Sequence, residues 1–333
     1  MIKRLKLIAI SCAFLFLQGC SLGYYSHLAK GQYNLMQKRK PLSQVINAKE
    51  TSPALKERLL LTQKALAFAE KNLLIDVDDR YSDYVDLKRP YVLWSLSAAP
   101  ELSFSAYKWC YPIVGCANYR GYFDYEKAQE AEKELQALGY ETYLRGVSAY
   151  STLGWFSDPL INTFIHYSEK EYLTLIFHEL AHSKLYIKNN TRFNESFATF
   201  VGEQAYKEFK EEQQLQEPVF DQARKESYED LKKLILKYRK ELKVLYKSDR
   251  DIEEKRKVKK EIMANLQEEY ETLKRSWSHS GYDQWINTLN NAKFMVYSDY
   301  ESKVPLFETM FNECQQDWAC FYNKAQQEGD KSN

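Results

Sequence analysis

The chain has 333 residues and a formal net charge of +1 at pH 7. A charge so close to zero argues against a nucleic-acid partner, because proteins that bind nucleic acids usually carry a basic face. Aromatic residues make up 15% of the sequence, with 26 tyrosines, and this composition favours a well-packed body with polar-edged clefts.

The first twenty residues predict an export signal. A positively charged start precedes an apolar run at residues 7–17, which is too short to span a bilayer. The segment Leu17-Gln18-Gly19-Cys20 resembles the lipobox of bacterial lipoproteins, with cleavage before Cys20 and acylation of its thiol; a plain secretory signal is the alternative. Ser21 resembles an outer-membrane sorting signal. We therefore expect removal of residues 1–19 and a lipid-anchored protein that faces the periplasm, at the outer membrane.

Four further cysteines form two pairs of identical spacing. An oxidising periplasm favours two local disulfides, although crossed pairing stays open. A four-cysteine metal site is less expected, because the spacing within each pair is wider than in common zinc knuckles. The two pairs are Cys110 with Cys116 and Cys314 with Cys320.

Residues 20–80 are predicted to form a helical segment. One helix covers residues 24–39, and a second, strongly amphipathic helix begins at Pro53. The expected core face of the second helix consists of Leu55, Leu59, Leu66, Leu73 and Leu74.

Residues 81–205 change in character and predict a core that contains strands. A helix at residues 124–138, ended by Gly139, interrupts the strands. A small mixed sheet packed on the site helices is the expected result. The predicted strands lie at residues 91–96, 113–123, 140–147 and 160–166.

The motif His178-Glu179-Leu180-Ala181-His182 carries the clearest chemistry. Two histidines four apart on a helix project from one face, so that they can share one zinc ion, while Glu179 reaches the metal-bound water. Glu195, thirteen residues after His182, can supply a third ligand. A set of two histidines and one glutamate with an open fourth position is typical of catalytic zinc sites.

The surroundings of the motif predict a buried helix. The capping box Ser168-Glu169-Lys170-Glu171 would start it, and Asn189-Asn190 would end it. Ala198 and Gly202 are small enough to let the helix of Glu195 approach closely, as a shared metal requires. The alternative is that His178 and His182 are ordinary hydrogen-bonding histidines.

Several segments, taken together, resemble the predicted-aminopeptidase family of bacterial lipoproteins. This resemblance implies a gluzincin-type zinc metallopeptidase with His178, His182 and Glu195 as ligands and Glu179 as general base. The GxMEN box with which one gluzincin group binds a substrate amine is not found in this chain. The segments are WCYPIVGC at 109–116, YRGYF at 119–123, AYSTLGWFSDPL at 149–160, HELAH, NESFA at 194–198, NNA at 290–292, and 300–307.

The remaining site residues are less strongly indicated. A donor for the oxyanion is needed besides the metal, and we favour Tyr300 because it stands in a family-like segment. Gly154 would let a substrate backbone approach, although a tight structural turn is the alternative, and Asp158 could bind a substrate amine. Other donors considered are Tyr297, His279 and Tyr150.

Residues 206–278 are highly charged with apolar residues at helical spacing, which predicts an antiparallel helical hairpin packed on itself. Residues 279–333 are expected to complete the core with aromatic-rich helix, followed by a disordered tail after Lys324.

The predicted fold class is therefore α+β and mostly helical, with a zincin-like catalytic core, a small mixed sheet and a long helical hairpin insertion. The leading hypothesis is a membrane-anchored zinc aminopeptidase with one Zn²⁺ per chain and a peptide substrate. One alternative is a non-catalytic envelope lipoprotein that binds partners through the hairpin. Another is an enzyme that hydrolyses a different amide, such as cell-wall peptide.

Overall fold

The computed structural model confirms the predicted α+β, mostly helical class. In the part of the chain that it describes, no helix combines the length and the apolar character needed to cross a membrane. The described residues are 19–111, 115–149, 157–215, 219–277, 281–301 and 303–331, with the backbone alone at 19–22, 219–222, 224–225 and 298–301.

The described elements are given in chain order. The first half contains α1 (Gly19–Met36), β1 (Lys40–Pro41), α2 (Leu42–Asn47), α3 (Pro53–Asn72), β2 (Asp83–Val85), β3 (Leu93–Pro100), β4 (Trp109–Tyr111), β5 (Gly115–Ala117), β6 (Tyr119–Tyr122), α4 (Tyr125–Ala137), β7 (Tyr140–Val147) and β8 (Leu160–Ile161). The second half contains α5 (Glu169–Lys184), α6 (Thr191–Gln213), α7 (Val219–Lys247), α8 (Ile252–Lys274), α9 (Asp283–Asn287), α10 (Asn291–Glu301), α11 (Val304–Glu313) and α12 (Trp318–Lys331).

Helix α3 begins as predicted at Pro53, where the Ser52 side chain accepts the Leu55 N–H at 3.3 Å. Leu59 and Leu73 are buried in the main core. The prediction is wrong for Leu74, which is 46% exposed. The helix ends at Asn72, and a positive φ of 55° turns Leu74 away from the core face.

The strands form three small sheets. Strands β6, β3 and β7 are antiparallel in that order, whereas β2 pairs with β1 antiparallel and with β8 parallel, so that only this second sheet is mixed. Strands β4 and β5 form a hairpin that the Cys110–Cys116 disulfide joins. Helix α4 covers one face of the β3 sheet and α10 packs on the other.

The predicted strand limits are partly wrong. Strand β3 begins and ends later than predicted, and the run at 113–123 is divided between β5 and β6, with residues 112–114 outside the described chain. The strand at 160–166 stops after Ile161, and a turn follows in which the Asn162 side chain accepts the Leu87 N–H at 2.8 Å. The limits of β7 and α4 are confirmed, with Gly139 at a φ of 83°.

The charged segment forms the predicted hairpin of α7 and α8. Its interface is a separate apolar cluster that includes Leu234, Leu242 and Tyr270. The hairpin does not pack only on itself, because Lys259 pairs with Glu141 of β7.

The chain after Lys324 is helical, so that the predicted disordered tail is wrong. Helix α12 continues to Lys331, and Ala325 is fully buried. A Cβ added at Gly329 would lie 2.5 Å from Ile187 Cδ1, which shows how closely this helix packs on the loop before α6. The Cys314–Cys320 disulfide joins α11 to α12.

Candidate metal centre

Helix α5 carries the HExxH motif and begins at the predicted capping box. The Ser168 hydroxyl accepts the Glu171 N–H at 3.3 Å, and the Glu171 carboxylate accepts the Ser168 N–H at 3.1 Å. The predicted end at Asn189-Asn190 is wrong, because the chain becomes extended at Leu185 and α5 ends at Lys184. Asn190 instead caps the start of α6 by accepting the Phe193 N–H at 3.2 Å.

Helix α6 packs against α5 at very short range, as its small residues predict. A Cβ added at Gly202 would lie 2.8 Å from the Thr174 carbonyl oxygen and 3.3 Å from His178 Cβ. Ala198 is fully buried on the same helix. Any larger side chain at 202 would have to push the backbones of the two helices apart.

This close packing brings three candidate ligand atoms together. His178 Nε2 lies 3.2 Å from His182 Nε2, and Glu195 Oε2 lies 3.5 Å from the former and 3.8 Å from the latter. Four ligands in a tetrahedron around zinc, at bond lengths of 2.0–2.1 Å, stand about 3.3 Å apart. The three atoms therefore fit a single tetrahedral ion, and they are the one such group found among the described residues.

The electrostatics of the three side chains also suit a cation. Burial lowers the pKa of His182 to about 4, so that its imidazole is neutral at pH 7. Burial opposes ionisation of Glu195, but its hydrogen bond to His178 and the nearby His182 and Arg145 hold its pKa below the usual value. Burial would lower the pKa of His178, yet the hydrogen bond to Glu195 and the charge of Glu179 raise it.

Glu179 is half-buried next to this group. Burial, together with the charges of Glu195 and Asp158, raises its pKa to about 7, although His178 opposes the shift. A carboxyl group with this pKa can both accept and return a proton at neutral pH. Asp158 is itself buried, at 5% exposure, and its main-chain oxygen accepts the Tyr81 N–H at 2.7 Å.

Sequence reasoning missed the role of Asn194, which immediately precedes Glu195 on α6. Its side-chain oxygen accepts the Ile187 N–H and its nitrogen donates to the Ile187 carbonyl, both at 2.8 Å. This amide holds the loop between α5 and α6 in place. A polar side chain next to a candidate ligand, in a helix segment with many apolar residues, is the sequence signal that could have revealed the role of Asn194.

Two other residues near Glu195 were also missed. Arg145 on β7 lines a cavity together with Glu195. Tyr186 lies in the loop before α6, and burial and the charge of Glu195 raise its pKa, so that the phenol keeps its proton. Neither residue belongs to a sequence motif, because their approach to Glu195 depends on packing between distant elements.

The first disulfide hairpin touches the same loop, since the Cys116 N–H donates to Asn189 Oδ1 at 2.8 Å. The disulfides thus brace two neighbours of the site, one at this loop and one between α11 and α12.

Several predicted site residues fall outside what the structure describes. Gly154, Tyr150 and His279 lie outside the described residues. For Tyr300, in α10, and Cys20, in α1, only the backbone is described.

Tyr297, another donor considered, lies among the aromatic residues next to the hairpin. Its ring packs against Tyr228 and Trp285, at centroid distances of 6.3 and 6.1 Å, beside the hairpin cluster.

Comparison with known proteins gives a family. No curated protein and no solved structure gives a significant match. A family described as "Putative aminopeptidase" matches residues 23–333, which include the candidate ligands and nearly all of the chain. Family membership supports a peptidase-like function at the level of a hydrolase class. This chain therefore belongs to that aminopeptidase family.

Proposed function

We propose that this protein is a zinc-dependent metallopeptidase with a zincin-like core that acts as an aminopeptidase. The observation that carries the proposal is the convergence of His178, His182 and Glu195 at tetrahedral spacing. Two nitrogens and one carboxylate oxygen form the donor set typical of catalytic zinc, with one coordination position left for water or substrate. Family membership supports the peptidase class independently.

The three ligands would hold the ion, and the ion would supply polarisation of the scissile carbonyl and activation of a water molecule. Glu179 would act as the general base that takes a proton from water and passes it to the leaving amine. Tyr300 is the proposed donor to the oxyanion.

An aminopeptidase recognises the free N-terminal amine of its substrate, so the proposed assignment requires a group that binds this amine. Asp158 carries one of the charges that raise the pKa of Glu179, and its carboxylate is the proposed partner of the substrate's free amine. Gly154 is proposed to let the substrate backbone approach. The alternative of a non-catalytic module is less favoured, because a half-buried carboxyl group of raised pKa beside three convergent ligands is typical of active sites.

The location is proposed from the sequence alone. The lipobox-like segment that ends at Cys20 supports a lipid anchor and a periplasm-facing position at the outer membrane, and the family match begins just after it, at residue 23. Replacing Cys20 with serine is expected to move the protein from the membrane fraction to the soluble fraction. Continued sedimentation of the Cys20→Ser protein with membranes would rule out the anchor.

The central experiment measures metal content. The soluble protein lacking residues 1–20 is expected to retain about one zinc per chain after purification from metal-replete medium, and a His178→Ala variant is expected to lose it. Absence of stoichiometric zinc in the unsubstituted protein would refute the proposal. A peptide library with free and blocked N-termini then separates exopeptidase from endopeptidase activity.

A further inference from the structure

A cavity beside the metal centre has no role in the proposed function. It is open to solvent on one side and lies between α6 and the sheet of β6, β3 and β7. The sheet contributes Ser97, Tyr119 and Arg145 to its lining, and α6 contributes Thr191 and Glu195. A candidate metal ligand therefore forms part of the wall, and a molecule bound at the metal would extend into this space.

The register of the sheet explains why Arg145 points into the cavity. Ser97 pairs with Tyr119 on one side, and Arg145 pairs with Ser95, two residues before Ser97. Side chains two apart on a strand share a face, so these residues lie on one side of the sheet. Leu144 lies on the opposite side, packed in the cluster below α4.

The charges of the lining are unequal. Among the described lining residues Arg145 is the cation and Glu195 the acid, and the others are neutral. Glu195 already has two histidines and, by the proposed function, a divalent ion to balance its charge. With that ion bound, the cavity carries a positive excess together with the hydroxyl groups of Ser97 and Thr191, which suits an anionic group.

We propose that this cavity is a substrate subsite in which Arg145 binds a carboxylate. A guanidinium group is the side chain best matched to a carboxylate, which it can bind through two parallel hydrogen bonds. The inference rests on the proposed peptidase function and names its substrates: short peptides whose carboxylate lies within about two residues of the cleaved bond, since each residue spans about 3.3–3.6 Å. Binding of the amine at Asp158 and of the carboxylate at Arg145 would together select di- and tripeptides.

A simpler role for Arg145 is to position Glu195 alone. The two roles predict different experimental effects. A positioning role affects metal affinity and leaves the enzyme indifferent to the substrate's terminal charge, whereas a subsite role gives a preference for the acid over the amide form of one peptide.

The first arm of the test measures binding without turnover. Isothermal titration calorimetry compares N-acetyl-Ala-Ala with its C-terminal amide, using Glu179→Gln protein with and without zinc. We expect the acid to bind about tenfold or more tightly than the amide, and Arg145→Gln to remove most of that difference. Arg145→Lys is expected to keep part of it, because the charge stays but the paired donors are lost.

The second arm measures kcat/KM for short peptides and distinguishes the two sources of a carboxylate. One pair differs only in a free or amidated C-terminus, and the other carries Asp or Asn next to the cleaved bond with an amidated end. The carboxylate that raises kcat/KM in the unsubstituted protein, but not in Arg145→Gln, is the one that the cavity accepts.

Arg120→Gln is the matched control. Arg120 lies on β6, the other edge strand of the same sheet, and on the opposite face, with its guanidinium carbon 3.6 Å from the Tyr24 ring centroid. Its substitution is expected to leave the acid-to-amide ratio unchanged. Equal binding of acid and amide by the protein with Arg145 intact would overturn the proposal, whatever the variants do. If no peptide is cleaved but the binding ratio behaves as expected, the subsite stands and the peptidase function fails.

Discussion

Two antiparallel helix pairs in this molecule pack through different kinds of side chain. In the hairpin of α7 and α8 the interface consists of large side chains such as Leu234, Leu242 and Tyr270, and the ion pairs lie outside it. Between α5 and α6 the interface contains Gly202 and Ala198, and two histidines and a glutamate face each other there.

The comparison shows that one helix pair contributes mainly to stability, whereas the other carries the candidate metal ligands. Burial of aliphatic side chains stabilises the hairpin directly, at about 25 cal/mol for each Å² of apolar surface. Buried ionisable groups between α5 and α6 are unfavourable unless they are paired. The apolar side chains of both helices in the main core, the Asn194 clamp and the packing of α12 on the connecting loop stabilise this pair. Substitutions in the hairpin should therefore change stability alone, whereas substitutions between α5 and α6 should also change zinc binding.

The largest expected effect is on catalysis at α5. Replacement of Glu179 by glutamine keeps the shape of the side chain but removes the proton acceptor, and kcat should fall by about 10²–10⁴-fold. Zinc content should stay at the unsubstituted level, because the three ligands are intact. Turnover that persists in Glu179→Gln would exclude this residue as the base.

A cavity in the hairpin should affect stability alone. Leu242 is fully buried, and Leu242→Ala is expected to lower the free energy of unfolding by about 2–5 kcal/mol. Urea denaturation followed by circular dichroism measures the loss. The zinc affinity of the folded variant should be unchanged; a parallel loss of zinc would show that the two helix pairs are coupled and would break the comparison.

A small addition between α5 and α6 should affect both properties. Gly202→Ala forces the Thr174 carbonyl and the new methyl group apart, with an expected loss of about 1–3 kcal/mol in the free energy of unfolding. Displacement of His178 relative to Glu195 should weaken zinc binding by about 10–100-fold, as indirect disturbance of metal ligands commonly does.

Gly23→Ala is the control, because Gly23 lies in α1 with nothing within 4 Å of an added Cβ. Its zinc affinity should match that of the unsubstituted protein, and its free energy of unfolding should be equal or higher by up to about 1 kcal/mol, because alanine favours a helix more than glycine does. Equal zinc affinity in Gly202→Ala would show that the close helix approach does not set the ligand geometry.

The smallest effect is the pH dependence of metal binding. The pKa of His178 is raised, so a proton competes with the metal for His178 at higher pH than for an ordinary histidine, whereas a pKa of about 4 keeps His182 neutral. As pH falls below the His178 pKa, zinc affinity should drop about tenfold per pH unit, with one proton released per ion bound.

Calorimetry in buffers of different ionisation enthalpy counts these protons. The unsubstituted protein is compared with Glu179→Gln, which lacks both the neighbouring titration at about pH 7 and one of the charges that raise the His178 pKa. Affinity that does not change between pH 5 and 8 would contradict the assignment of His178.

Local patterns made much of this molecule predictable. The capping box at Ser168, the limits of β7 and the apolar spacing of the hairpin depend on neighbours in sequence, and all three were confirmed. The close approach of α5 and α6 was also predictable, because a glycine at 202, on the helix that carries the ligand Glu195, allows a neighbouring helix to come near.

Features that depend on distant packing were not predictable. The helix of α5 stops at Lys184 because the loop to α6 is held by Asn194, seven residues after Ile187. The polar composition of the chain after Lys324 suggested disorder, yet Ala325 and Gly329 give this half of α12 one face that fits the core. Arg145 carries no local signal, since its place depends on the register of β7 and on α6.

The contact between Gly329 and Ile187 also determines when, during synthesis of the chain, the loop before α6 can be packed. These residues are 142 positions apart (329 − 187), and ribosomes add about 5–20 residues per second, so the supporting helix is made about 7–28 s after the loop that it holds. During that interval the two histidines and Glu195 exist without the packing that fixes their spacing. The ligands are thus synthesised early, but assembly of the complete centre is a late event in the life of each chain.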